Sequence, residues 1–232
     1  MIHFSKYDCE RSIPSAIDGR KTSTRKILFS AFKKPLTREI KVAQFAGYVS
    51  EHSCYHHGEA SLNKAIVGDA QEYVGSNNLN LLLPNGQFGT RLEGGKDSAS
   101  ERYIYTQLNP ITRFIFPKDD EPILTYLDDD GTMVEPEFYI PIVPMILVNG
   151  GKGIGTGFSY EGMCYNMKQI IAYLQNKIKG KAIAGMIEPY YEGFKGKIIK
   201  LTDYKFMIKG NYEIISHNTV RITELPIGTW TS

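Results

Sequence analysis

Apolar residues at helical spacing dominate the first third of the chain and limit what it can fold into. Ile27, Leu28, Ala31 and Phe32 form one face of a helix whose start is offered N-caps by Thr22, Ser23 and Thr24 and whose end is set by Pro35. Val42, Phe45, Ala46 and Val49 recur at the i, i+3, i+4, i+7 positions of a second helix. A third, beginning near Gly58-Glu59, carries Leu62, Ile66, Ala70 and Tyr73 on one stripe. Two short helices with a break between them permit a helix-turn-helix. After Gly75 the chain turns to Asn, Gly and Pro, with Pro84-Asn85-Gly86 read as a turn flanked by short strands. A helical core followed by a β-wing is the pattern of a winged helix, and the expected class is α+β.

A second region begins near Pro117. Residues 139–148 read as extended apolar stretches broken by prolines, and Met167, Ile170, Ile171, Leu174 and Ile178 mark a helix. Four short strands then form a meander around residues 196–201, 204–209, 212–215 and 219–223, with turns at Lys209-Gly210-Asn211 and Ser216-His217-Asn218. The chain stops at Trp230-Thr231-Ser232, directly after a strand, which suggests a fragment.

Composition narrows the function classes. A chain of 232 residues with 42% hydrophobic content can bury a core of useful size. The net charge of +2 is uninformative, but its distribution is uneven. Eight basic residues against one acid lie between Arg20 and Lys41, and eight acids against one base between Lys118 and Glu137. That suits a polyanion site confined to one part of the molecule, although charge alone fits a solvated face better. Cys9, Cys54 and Cys164 are odd in number and have no metal-like spacing, as expected in a reducing, intracellular compartment. No apolar run is long enough to cross a membrane.

Several segments could carry chemistry. Arg102-Tyr103-Ile104-Tyr105-Thr106 alternates like a strand and sets a guanidinium beside a phenol. A phenol can attack a phosphodiester and keep the bond as a phosphotyrosine ester, provided its proton is removed and the charge on phosphorus is balanced. Most tyrosines in strands are structural, so the pair is a weak signal by itself. Tyr55-His56-His57-Gly58-Glu59 opens a helix, where backbone N–H groups can receive a phosphate. Asp128-Asp129-Asp130-Gly131 lacks the spacing of a calcium loop and reads as an exposed turn. The glycines from Gly150 to Gly157 fail the nucleotide-loop pattern and fit backbone lying close against another surface, or a flexible loop.

Taken together, these segments resemble the breakage–reunion region of eukaryotic-type, type IIA DNA topoisomerase II. The match is carried by Glu10-Arg11-Ser12-Ile13-Pro14-Ser15 with Asp18-Gly19, Lys41-Val42-Ala43-Gln44, Tyr55 to Glu59 and Val74 to Asn80. It continues through Gly86 to Arg91, Gly94 to Ala99, Arg102-Tyr103-Ile104, Val134-Glu135-Pro136-Glu137 and Val148-Asn149-Gly150 with Gly153 to Gly157. The resemblance implies a winged-helix domain over residues 1–117 and a mixed α/β tower domain, C-terminally incomplete, over 118–232.

It also implies roles. Tyr103 is the expected nucleophile, joined to a 5′-phosphate, and Arg102 the expected transition-state arginine. Arg11, Lys21, Arg25 and His57 surround the scissile phosphate, with Asp18 orienting them. His56 and Lys26 are expected on the DNA, as are Gly153, Ile154 and Gly155, with Ile154 wedged between base pairs.

The complete enzyme is expected to pass one duplex through another as a homodimer. It would use magnesium and ATP held by metal-binding and ATPase domains absent here, so this chain needs no cofactor of its own. It is expected to bind double-stranded DNA without cleaving it, and the fragment alone can be monomeric. Departures at Arg20-Lys21-Thr22, at Glu101 and at Tyr160 to Cys164 imply a divergent or redesigned source, a large DNA virus included. The implied location is the nucleus for a cellular protein and host cytoplasm or virion for a viral one. Two rivals are a winged-helix DNA-binding module without chemistry and a rolling-circle nuclease. The adjacent His56 and His57 count against the second.

Overall fold

The computed structural model describes residues 1–181, 185 and 187–232. It opens with a helix that periodicity did not reveal, α1 (Ile2–Ser12), which buries none of its residues and so has no apolar stripe to detect. Helix α2 (Thr22–Lys33) buries Ile27, Leu28 and Ala31 as expected. Its cap differs: Lys21 is the N-cap residue, and Thr24, inside the first turn, accepts a hydrogen bond from the Lys21 N–H at 3.0 Å. Pro35 forces Lys34 into extended geometry, and the helix ends before it.

Strand β1 (Ile40–Lys41) leads into α3 (Val42–His52), whose Val42, Phe45, Ala46 and Val49 are wholly buried. Helix α4 (Glu59–Ala70) buries Leu62, Ile66 and Ala70. Tyr73 lies beyond its end, not on its stripe, and meets the Trp230 ring edge-on. Strands β2 (Leu82–Asn85) and β3 (Tyr105–Leu108) complete an antiparallel sheet of order β1-β3-β2.

Two expectations need correction here. Pro84 and Asn85 belong to β2 rather than to a turn, a place open to proline because β2 is an edge strand. Arg102 and Tyr103 precede β3 in a turn, where the Tyr103 N–H donates to Ser100 O at 2.9 Å. One apolar cluster joins these elements, with Ile27, Phe45, Val49, Leu62, Ile66, Leu82 and Ile104 at its centre. Each such side chain contributes about 1.5–3 kcal/mol of burial.

The chain continues through α5 (Thr112–Ile115), a 3-10 turn at Lys118–Ile123 and the hairpin β4 (Tyr126–Asp129) with β5 (Thr132–Pro136). Asp130-Gly131 forms the hairpin tip, both at positive φ, whereas Asp128 and Asp129, also read as a turn, close the end of β4. Met145–Val148, expected to be extended, is a helical turn, α6, started by Pro144. Strands β6 (Gly151–Gly155) and β7 (Phe158–Gly162) pair as a hairpin. Helix α7 (Met167–Ile178) follows, capped by Asn166, whose side chain accepts from Lys168 N and Gln169 N. Of its expected apolar face only Ile170 is buried, and Ile178 is exposed. A second cluster gathers Leu28, Leu81, Ile115, Phe116, Tyr139, Val143, Met145, Val148 and Ile170, and so draws on both sides of residue 117.

The final strands, β8 (Lys197–Thr202), β9 (Lys205–Lys209), β10 (Asn211–Ser216) and β11 (Thr219–Glu224), form two separate hairpins rather than one meander. Gly210 separates β9 from β10, and the Asn211 side chain donates to Lys195 O at 2.6 Å. The architecture is α+β. Among the described residues no helix is long and apolar enough to cross a membrane.

Candidate functional site

A cleft of about 1060 Å³ lies between α1, the start of α2, the α3–α4 turn and the β4–β5 hairpin. Arg11, Lys21, Lys26, His56, His57 and Ile154 all line it. Arg11 stands at the end of α1, its Nη1 3.5 Å from His57 Nε2, while Asp8 one turn earlier sits 3.8 Å from the same guanidinium. The Tyr55 ring meets the His57 ring edge-on at 5.4 Å. Lys21 precedes the first turn of α2, and burial pushes its ammonium below the ordinary lysine value. An anion entering here would meet that ammonium, the guanidinium of Arg11 and the unpaired N–H groups of a helix start.

Other expected contacts are engaged by partners within the chain. Arg25 lies beneath the cleft and pairs with the fully buried Asp18, Nε to Oδ2 at 2.7 Å and Nη2 to Oδ1 at 3.2 Å. Asp18 also accepts from the backbone N–H groups of Arg20 and Tyr139, at 2.9 and 3.0 Å. Four donors converge on one carboxylate, and the loop that presents Lys21 is thereby fixed. Lys26 donates to Glu135 at 2.8 Å and to Ser53 O. His56 Nε2 is 3.2 Å from Asp129 Oδ2 near the hairpin tip.

Gly153 and Gly155 abut α1. A Cβ on Gly153 would collide with Ser12 O, and one on Gly155 would stand 2.9 Å from Cys9 Sγ. The surface that this glycine run approaches is the protein's own helix. With its neighbours packed inward, Ile154 is left 72% exposed at the cleft.

Tyr103 and Arg102 do not line this cleft. Tyr103 is 72% exposed, with the Arg102 guanidinium 5.8 Å from its ring centre. Their turn is docked by its backbone: the first N–H groups of α3, Val42 and Ala43, donate to Ile104 O and Glu101 O at 3.0 and 3.1 Å. The turn therefore caps a helix, and the buried Ile104 anchors it in the core.

The β2–β3 connection, residues 86–104, where the wing is expected, is held by Asp97, which accepts from the Thr90 hydroxyl at 2.6 Å and the Thr90 N–H at 2.8 Å. Those bonds, the hydroxyl's first, hold the Asp97 carboxyl below its ordinary value.

Sequence reading missed three ion pairs. Buried Glu135 pairs with Lys26, buried Arg20 with Asp69, and Arg91 with Glu224. Glu135 stands within a segment that carries the family resemblance and Arg20 within one that departs from it, but charge in a sequence does not show a partner. Among the described residues no group of three or more His, Cys, Asp or Glu side chains is placed to hold a metal ion.

The three-stranded sheet and helices α2 to α4 thus stand beside a cation-lined cleft, with an arginine-flanked tyrosine displayed apart from it. The model of the DNA gyrase/topoisomerase IV family (the A subunit) matches residues 11–232, and the chain belongs to that family. It is 55% identical over 234 residues to DNA topoisomerase 2 of Arabidopsis thaliana, covering 99% of this chain and 16% of that protein. It is 52% identical over 231 residues to DNA topoisomerase 2-alpha of Cricetulus griseus, covering 100% of this chain and 15% of the relative. It also superimposes on the Plasmodium falciparum topoisomerase II DNA-binding, cleavage and re-ligation domain with a TM-score of 0.96 at 49% identity, over 99% of this chain and 31% of that one. The resemblance to the eukaryotic-type enzymes is thus borne out. None of these matches supports a viral source. The chain spans about 16% of the length of the curated relatives it matches.

Proposed function

We propose that this chain is the DNA-gripping, tyrosine-bearing part of a type II DNA topoisomerase, in which the Tyr103 oxygen attacks a phosphodiester of duplex DNA. The phenol loses its proton as the new O–P bond forms, and the 3′-oxygen of the broken strand leaves. The 5′-phosphate then stays on Tyr103 until the 3′-hydroxyl reverses the step. Arg102 balances charge on the phosphorus. Arg11, Lys21 and His57 hold the phosphate, while the Asp18–Arg25 pair and the Lys26 and His56 contacts shape their surroundings. Ile154, flanked by Gly153 and Gly155, wedges into a base step at an unstacking cost of roughly a few kcal/mol. Residues 1–117 act as the winged-helix part and 118–232 as the tower.

The observation that carries this reading is the meeting of Arg11, Lys21 and His57 in one cleft with Ile154 exposed at its edge. Because Tyr103 lies on a different surface, pairing of two copies, the tyrosine of one facing the cleft of the other, suits the chemistry best. Magnesium and ATP belong to other domains of the longer protein. Of the cleft acids, Glu135 and Asp129 pair with Lys26 and His56, and among the described residues no three ligand-type side chains gather as a metal centre needs. The nucleus is the compartment this reading implies.

The isolated chain should bind duplex DNA, leave it uncut, and lose affinity steeply with salt. Fluorescence anisotropy of a labelled duplex measures this. Arg11→Ala with Lys21→Ala should weaken binding and lower the salt slope by about two. Salt-insensitive binding, or none at low salt, would contradict the proposal.

A further inference from the structure

The Val134-Glu135-Pro136-Glu137 segment has no part in the function so far, yet its glutamate is among the most deeply buried side chains in the molecule. Glu135 is 1% exposed, on β5, and lines the floor of the cleft. A buried carboxylate is costly unless it is paired. Its partner, Lys26, lies 109 residues away in sequence, with Nζ 2.8 Å from Glu135 Oε2. The same ammonium donates to the carbonyl of Ser53, itself 0% exposed and bonded through its hydroxyl to Val49 O.

Ser53 begins the α3–α4 turn. The next residue, Cys54, sits at φ +49, a conformation unfavourable for any residue with a side chain, so its surroundings must hold it there. Tyr55 N donates to Ser50 O, and His56 and His57 follow directly. A buried chain of bonds thus runs from the hairpin carboxylate through Lys26 to the backbone that aims both histidines into the cleft.

We infer that Glu135 is a positioning residue: acting through Lys26 and the Ser53 carbonyl, it fixes the α3–α4 turn so that His56 and His57 face an incoming phosphate. Two of the three Lys26 N–H donors are committed to this chain, so Lys26 serves as a strut more than as a phosphate contact. The inference rests on the reading of the cleft as a phosphate site, but only for its binding half. The geometry of the turn can be tested without DNA.

The decisive variant is Glu135→Gln, which keeps shape and removes charge. If Lys26 were a direct phosphate contact, taking a negative charge from the cleft and releasing the ammonium would tighten duplex binding. Positioning predicts the opposite, a fall of about tenfold, because the turn loses its anchor. The five histidines supply the second readout, as imidazole NMR signals at constant pH. The signals of His56 and His57 should move, whereas those of His3 in α1 and His217 in the β10–β11 turn should not.

Unchanged His56 and His57 signals, or tighter binding, would overturn the inference. If the unmodified chain binds no duplex, the phosphate reading fails, and the histidine signals alone still decide this one. Should Glu135→Gln fail to fold, Lys26→Met severs both bonds while keeping the buried stem and must displace the same two signals. Lys26→Arg, which retains donors for both acceptors, must leave them in place.

Discussion

At the cleft, cations are set by buried acids: Glu135 holds Lys26 across 109 residues, and beneath it Asp18 holds Arg25 and also accepts from the Tyr139 N–H. The tyrosine turn has no such foundation. Tyr103 and Arg102 stand in solvent on a turn anchored by the buried Ile104, and backbone bonds to the start of α3 hold it. A surface that must present fixed charge to a phosphate needs rigidity within one chain. Under the proposed function, Tyr103 must reach DNA and later release it, and it needs access more than burial. The difference implies that stability and chemistry can be separated by mutation, and the following experiments press on that separation.

The largest effect is expected at Asp18. Asp18→Ala leaves Arg25 buried without its partner and strands the N–H groups of Arg20 and Tyr139, which should cost about 3–5 kcal/mol in denaturant unfolding. Tyr103→Phe in the same assay should stay within about 0.5 kcal/mol, since only an exposed hydroxyl is lost. Equal destabilisation by the two changes would erase the contrast.

A middle-sized effect is expected at Gly94 in the wing. It holds φ +61, and a Cβ there would collide with the Trp230 ring. Gly94→Ala should therefore displace the indole, at about 1–3 kcal/mol. The protein has a single tryptophan, so its emission reports the event directly. A red shift without loss of the helical signal is expected, and unaltered emission would mean that the wing yields elsewhere.

The smallest effect concerns pH. The Asp97 carboxyl is held below its ordinary value by the Thr90 hydroxyl and N–H. A depressed folded-state value stabilises the wing above the unfolded pKa, near 3.8, and that contribution disappears as pH falls through the lower folded value. The Thr90 amide should stay protected from hydrogen exchange, after correction for intrinsic rates, at pH 5 and lose protection only at more acid pH. Loss of protection between pH 6 and 5 would show that another group closes the wing.

Much of this was legible from residues that bury one face. Val42, Phe45, Ala46 and Val49 mark α3 because the core removes all of them from water. Helix α1 was invisible for the converse reason, since it buries nothing. The alternation through Arg102 to Thr106 suggested a strand, but the Glu101 and Ile104 carbonyls serve α3 and the ladder begins only at Tyr105. The resemblance supplied the candidate site residues, and the structure brings Arg11, Lys21, Lys26, His56, His57 and Ile154 to one cleft. The burial of Arg25 and the engagement of Lys26 could not be read, because a basic residue in a sequence looks the same whether it meets DNA or an acid 109 positions away.

The central claim is that Tyr103 becomes covalently joined to DNA, and peptide mapping of the full-length protein trapped on nicked duplex tests it most directly. With ATP and magnesium supplied, mass spectrometry should find a nucleotide 5′-phosphate on the peptide containing Tyr103 and none after Tyr103→Phe. An adduct on Tyr105 or another residue, or one that survives Tyr103→Phe, would contradict the account.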